Sequence, residues 1–346
     1  MKPSVPRNGH LNLRKRAPAI AAALALIILI FTGQAAKSGA TPSSAAERDS
    51  EDREQSRRGV ELLMEGDTDG AIRIFRQVQQ SDPQSALGYL LEAQTIWWKI
   101  YYTTADLLDP DVFDVAKQAS SPLDSHFSDL LVVAIARSEA HIKAQEDVAR
   151  NNLYEGMAYA LEARLAGLRG KDLPAVRSGK KMRTYLMAAL KLDPHLADAY
   201  LGLGNYNYFI DTLPPAMKFL RVIGNVPAGD KDLGIRQIQQ VIENGDLLRG
   251  EAQFYLAKNY SGDGEKKFRK SLELFQNLAR DYPHNPLWKL LSAEMQCRLG
   301  ETRDGDAHYR EVVQETRGVV TETEHAVYRA AHDGYVRRHP DDKTLE

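Results

Sequence analysis

The residues of this chain that could do chemistry come in short, incomplete sets. The string Gly224-Asn225-Val226-Pro227-Ala228-Gly229-Asp230-Lys231 begins like a loop whose backbone N–H groups cradle phosphates. It departs at the decisive place. Gly229 is followed by Asp230, not by Lys and then Ser or Thr, and no strand-like segment precedes it. Its glycines suit a tight turn, and Asp230 suits the cap of a helix starting near Lys231. Gly202-x-Gly204 lacks the third glycine of a dinucleotide fingerprint, because Asn207 stands there, so the pair predicts close helix packing. His325, His332 and His339 recur every seven residues, roughly on one helical face. Metal ligands on a helix sit on neighbouring turns, so this spacing predicts a solvated face and no metal site. Cys297, the single cysteine, lies in an apolar helical pattern and predicts a buried thiol. One cysteine excludes a disulfide within the chain and a zinc site of several thiolates. Neither an esterase-type serine elbow nor a zinc-protease helix motif occurs. No carboxylate pair is marked as general acid and base. The expectation is therefore no catalytic residue, no cofactor, no metal and no enzyme activity.

Aromatic clusters remain: Trp97-Trp98 with Tyr101-Tyr102, and Tyr200, Tyr206, Tyr208 and Phe209. Adjacent aromatics point in different directions on a helix, so not all of them are expected to face the core. Some pack on neighbouring helices, and others are candidates to line a groove, where aromatic side chains give contact area at low entropy cost.

Charge narrows the partner. The net charge is -2, but the first 36 residues carry five basic side chains and no acid, leaving 40 basic against 47 acidic side chains in the rest. A moderately acidic body gives no electrostatic reason to expect nucleic acid binding.

The N-terminus reads as a targeting sequence. Arg14-Lys15-Arg16 precede an apolar run over 19–31, and Gly33-Gln34-Ala35-Ala36 supply small residues where a signal peptidase would need them. Residues 1–35 are expected to be a secretory signal peptide cleaved after Ala35. Counting over 17–36 nearly reaches a bilayer span, so an uncleaved inner-membrane anchor stays open. Either way the basic end stays cytoplasmic and the body is exported. No cysteine directly follows the apolar run, which excludes a lipoprotein anchor. Residues 36–51 are small, polar and charged and predict a flexible tether, with a helical domain over 52–340.

From residue 52 on, apolar residues recur at three- and four-residue spacing, and prolines fall between the runs. One unit reads Gly59-Val60-Glu61-Leu62, Gly66-Asp67, Ala71, Phe75, Val78, Pro83. Another ends in Asp193-Pro194 and continues through Ala199-Tyr200-Leu201-Gly202-Leu203-Gly204. A third has its first helix over 252–260 and ends at Tyr282-Pro283. These units resemble the tetratricopeptide repeat (TPR), in which a small residue early in the first helix meets an Ala in the second, here Gly59 against Ala71. Pro83 cannot donate a helical hydrogen bond and ends the unit. The resemblance implies an all-α solenoid of antiparallel helix pairs in a right-handed superhelix.

The units are irregular. A polar stretch over 109–122, a long helix over 126–149, a turn over 167–171 and an apolar insertion over 213–230 interrupt the array, and a last helix pair runs over 286–309. Insertions in such arrays project from one face. The insertion's Met217, Phe219, Leu220, Val222 and Ile223 predict a short amphipathic helix packed on the array. Its surroundings, Gly204-Asn205-Tyr206-Asn207-Tyr208-Phe209, Leu213-Pro214-Pro215 and Gly229-Asp230-Lys231-Asp232-Leu233-Gly234, resemble a motif of the tetratricopeptide-repeat 39 and inclusion body clearance protein family. The likeness covers 154–299 and implies a binding or adaptor role.

By analogy with TPR geometry, first helices line a concave surface. That makes Asn205 and Tyr208 groove candidates, followed by Gln94, Trp97 and Lys258. The Lys/Asn/Arg arrangement that grips a peptide carboxylate in some TPR co-chaperones is absent, with Leu201, Phe254 and Leu290 at the matching positions. The leading expectation is a non-catalytic scaffold for a protein or peptide in the bacterial cell envelope, periplasmic or anchored. The alternatives are a structural subunit of an envelope assembly, and a small-ligand binder or enzyme with a pocket under the 213–230 insertion.

Overall fold

The computed structural model describes residues 44–109, 120–213, 227–318 and 321–342. The targeting segment, most of the expected tether and residues 214–226 of the apolar insertion lie outside the described residues, as do 110–119 of the polar stretch. The chain divides into two compact units, Met1–Glu47 and Arg48–Glu346. Of the first, the described part is a reciprocal cap. Ser44 Oγ accepts from the Glu47 N–H at 3.2 Å, and the Ser44 N–H donates to Glu47 Oε2 at 3.0 Å. This cap starts a helix within the expected tether, ahead of residue 52.

Thirteen helices and no strand occur among the described residues. They are α1 (Ala45–Met64), α2 (Thr68–Ser81), α3 (Leu87–Thr104), α4 (Asp124–Ala144), α5 (Val148–Leu168), α6 (Asp172–Leu192) and α7 (Ala199–Thr212). After the insertion come α8 (Lys231–Asn244), α9 (Arg249–Ser261), α10 (Phe268–Asp281), α11 (Pro286–Arg298), α12 (Thr302–Glu315) and α13 (Glu322–Arg338). None of them is long and apolar enough to cross a membrane.

Local chemistry sets several boundaries. Asp67 caps α2 by accepting from the Gly70 N–H at 2.7 Å, and the helix stops just before Asp82-Pro83. Asp230 caps α8 through the Leu233 N–H at 2.9 Å, as its position predicts. Asn285 caps α11 with Pro286 in the first turn.

From α2 onward, each helix packs on the next, and α3·α5 and α5·α7 contacts join alternate members. The outer helices α2, α8, α10 and α12 bury one face of small and apolar residues. The inner ones are enclosed: residues 151–161 of α5 are buried without interruption.

Glycines permit the tightest crossings. A Cβ on Gly204 would lie 2.8 Å from Gly234 O, and one on Gly234 would lie 2.6 Å from Gly204 O, so α7 and α8 touch backbone to backbone. Gly202 is pressed by Leu186 of α6. In the first unit the nearest neighbour of Gly59 is the Phe75 ring, 2.4 Å from an added Cβ.

Three further expectations are corrected. The helix expected over 126–149 breaks after Ala144, where Gln145 and Asp147 take positive φ and turn the chain into α5. The array also continues past 309, and α13 packs on both α11 and α3. Finally, Trp97, Trp98, Tyr101 and Tyr102 are all buried, because α3 has neighbours on every side they point to. Trp98 lies 4.9 Å from Phe254 of α9 and 6.0 Å from Trp288 of α11. Trp288 Nε1 and Asn285 Nδ2 both donate to Met64 O at 3.0 Å. Helices from the two ends of the array thus meet along a packed aromatic seam.

Candidate functional site

The aromatic seam decides where a partner can bind. Gln94, Trp97 and Lys258 are 3%, 1% and 2% exposed, so these groove candidates present no surface. Gln94 Nε2 donates to Glu251 Oε2, and Lys258 Nζ donates to Leu107 O at 2.8 Å and to Asp109 O. Burial lowers the Lys258 ammonium to about 7, against the pull of Asp109 and Asp106. Tyr208 is buried as well, its hydroxyl donating to Asn259 O at 3.1 Å. These side chains are struts between helices. Asn205 stands apart from them: it is half-buried and lines an open cleft.

That cleft lies between α5, α6 and α7 and has a volume of about 140 Å³. Ala160, Ala163 and Arg164 come from α5, Gly179 and Met182 from α6, and Gly202, Asn205, Tyr206, Phe209 and Ile210 from α7. The wall is mostly apolar because these positions follow the faces that the three helices turn toward one another. Asn205 Oδ1 is fully enclosed and has no hydrogen-bond partner among the described residues, and an unpaired buried acceptor is costly. Arg164 forms the other polar element. Its Nη1 donates to Glu251 Oε1, which makes a buried ion pair with a net charge of zero. Its guanidinium stacks 4.7 Å over Tyr255 and 5.4 Å over Trp97. Burial works against the charge of Arg164, but Glu251 more than offsets it and holds the guanidinium above its ordinary value.

Sequence reasoning finds Asn205 and places Phe209 in an aromatic cluster, but it misses Arg164, Gly179 and Met182. α5 also carries Arg150, Glu155 and Glu162, and nothing in its sequence singles out Arg164.

A second cavity, about 300 Å³, lies among the α1–α2 turn, the start of α11 and the start of α13. Its polar groups are already engaged: Glu65 with His284, Asp69 with Lys99, and Asn285 with Tyr102 and Met64. Among the described residues no cluster of His, Cys, Asp and Glu is arranged to hold a metal. His325 and His332 stack on Tyr328, and His339 Nε2 lies 2.7 Å from Asp306 Oδ2. Cys297 is half-buried, and burial raises its thiol above the ordinary value.

The tetratricopeptide-repeat family model matches residues 57–85, which cover α2 and the end of α1. A comparison with curated proteins finds no match. The repeat match and the consecutive packing of the helices agree: residues 57–85 form a tetratricopeptide repeat within an all-α array of the tetratricopeptide-repeat kind, and such repeats serve in general as protein-interaction scaffolds.

Proposed function

We propose that the chain is an exported, non-catalytic scaffold that binds a protein or peptide partner in the cell envelope through the cleft between α5, α6 and α7. The observation that carries this reading is an apolar cleft between three helices of an array that includes a tetratricopeptide repeat. Among the described residues its one charged lining side chain, Arg164, is paired with Glu251, which favours recognition over proton transfer. Export rests on the basic, apolar and small-residue order of the first 35 residues.

The test places a photo-crosslinking phenylalanine analogue at Phe209 and, as control, at the exposed Val132 of α4. A specific protein adduct at Phe209 and none at Val132 supports the scaffold reading. A folded protein with no adduct at Phe209 refutes it for this cleft. A reporter enzyme active only outside the cytoplasm, fused after residue 51, tests export separately.

A further inference from the structure

We infer that the outward face of α6 docks the body on a bilayer surface rich in anionic phospholipid. The inference is independent of the cleft, because it uses the side of α6 that points away from the array.

Helical geometry defines that face. At 3.6 residues per turn, Leu173, Arg177, Lys180, Thr184, Met187 and Lys191 fall within an arc of about 80° and form one row about 27 Å long. All six are exposed. Ser178, Met182, Leu186 and Ala189, which α6 buries, lie on the opposite side.

Charge marks the row. α6 has five basic side chains and one acid, Asp172 in its first turn. The outer helices α2, α8, α10 and α12 carry both signs, with at most one basic side chain in excess. Cations on those helices find carboxylates: Arg76 pairs with Glu92, Lys231 with Glu265 and Arg269 with Glu301. On α6, Lys181 Nζ donates to the Tyr159 hydroxyl at 3.2 Å, and Arg183 lies over the Tyr206 ring. Arg177, Lys180 and Lys191 have no ion pair among the described residues. Cations in a row without an acid between them repel one another and are stabilised by a polyanion.

Apolar exposure selects the kind of polyanion. Leu173, Met187 and Leu192 are 45%, 46% and 56% exposed. A nucleic acid backbone or a free phosphate offers nothing to these side chains. An anionic bilayer meets both needs. Its phosphates take the cationic heads, and its acyl boundary takes the apolar groups, with the Lys and Arg stems lying along it. The N-terminal order of basic, apolar and small residues, which predicts delivery to a membrane, brings such a surface within reach.

The experiment uses the full chain with Cys297→Ser and a nitroxide attached at Thr184→Cys. The control carries it at Val132→Cys, on the exposed face of α4. Vesicles are phosphatidylcholine alone or with about a third phosphatidylglycerol. The apolar N-terminal segment can hold the chain on either kind, so the nitroxide and not vesicle binding is the readout. On anionic vesicles alone, position 184 should become accessible to lipid-dissolved oxygen and shielded from a water-soluble nickel chelate. Position 132 should change on neither. Molar salt, which shortens the Debye length to about 3 Å, should reverse the change. Arg177→Gln with Lys180→Gln and Lys191→Gln should lower the ratio of docked to free about a hundredfold, about fivefold per charge. The melting temperature should stay unchanged, because these side chains are exposed. A nitroxide at position 184 that stays in water on anionic vesicles overturns the proposal, and so does equal shielding on both kinds. Shielding by soluble polyglutamate but not by vesicles would assign the row to an acidic protein and also overturn it. Crosslinking at Phe209 is read separately, so failure of the lipid contact leaves the scaffold reading standing.

Discussion

Replacing Gly204 by alanine tests the packing that brings α7 into place beside the cleft. The new Cβ would sit 2.8 Å from Gly234 O, 2.7 Å from Ile238 Cγ1 and 3.1 Å from Ile238 N. Two of these three atoms belong to the backbone, so a rotamer change does not relieve the clash. The two helices must separate by about half an ångström in an interior packed at crystal density. Overpacking of this kind costs about 1–3 kcal/mol, and backbone opposition places Gly204 at the upper end. Alanine returns about 1 kcal/mol through helix propensity. The net loss is about 2 kcal/mol, or about 3 °C in melting temperature for a unit of about 300 residues. Gly234→Ala meets the same crossing from the other side, at 2.6 Å from Gly204 O. The double variant should therefore lose less than the sum of the singles, because one separation relieves both clashes. Gly179→Ala is the control, with a gain of about 1 kcal/mol. Circular dichroism melts of the four variants decide the matter. A Gly204→Ala protein as stable as wild type would refute the backbone contact between α7 and α8.

Glu251→Ala leaves Arg164 buried and unpaired and should cost about 3–5 kcal/mol in urea unfolding, whereas Arg164→Met with Glu251→Leu should recover most of the loss. A double variant no more stable than the single would show that the pair is not the source. Both carboxylate oxygens of Glu155 are buried, and burial raises its pKa above the ordinary value although the Tyr185 hydroxyl pulls the other way. Glu155→Met should therefore gain about 1–3 kcal/mol at neutral pH. That gain should shrink as pH falls through the raised value, because the native acid binds its proton before the unfolded one does; a loss at neutral pH would contradict this. Lys258 has the opposite sign. Its native value of about 7 lies below the ordinary 10.5, so between them the unfolded chain holds more protons and stability rises with pH. Lys258→Met should flatten that rise in urea midpoints, and an unchanged slope would remove Lys258 as its cause.

Legibility in the sequence followed how local each determinant is. The cap at Asp230, the stop at Pro83 and the packing role of Gly202 and Gly204 depend on nearby residues and read directly. The burial of Trp97, Trp98, Tyr101 and Tyr102 does not, because a helix enclosed on all sides loses the periodicity that marks a face. The turn at Gln145 and Asp147 carries neither glycine nor proline, the residues that announce positive φ or a helix stop. Ser44 and Glu47 form their cap inside a polar stretch whose composition suggests a tether. Gln94, Trp97 and Lys258 do lie on inner helices, as repeat geometry suggests, but the inner face is filled by the chain's own aromatic residues. The cleft joins Arg164, Gly179 and Asn205 from three helices, and no spacing within one helix points to that convergence.

Filling the inner face changes what kind of scaffold this repeat array can be. An open solenoid binds along its concave surface, where contact area accumulates over several units. Here Trp98, Phe254 and Trp288 occupy the seam between α3, α9 and α11, and binding area must come from clefts between neighbouring helices and from outer faces. Exposed apolar side chains occur on α6. Leu173, Met187 and Leu192, three of the five exposed large apolar side chains among the described residues, belong to the helix that contributes Gly179 and Met182 to the cleft.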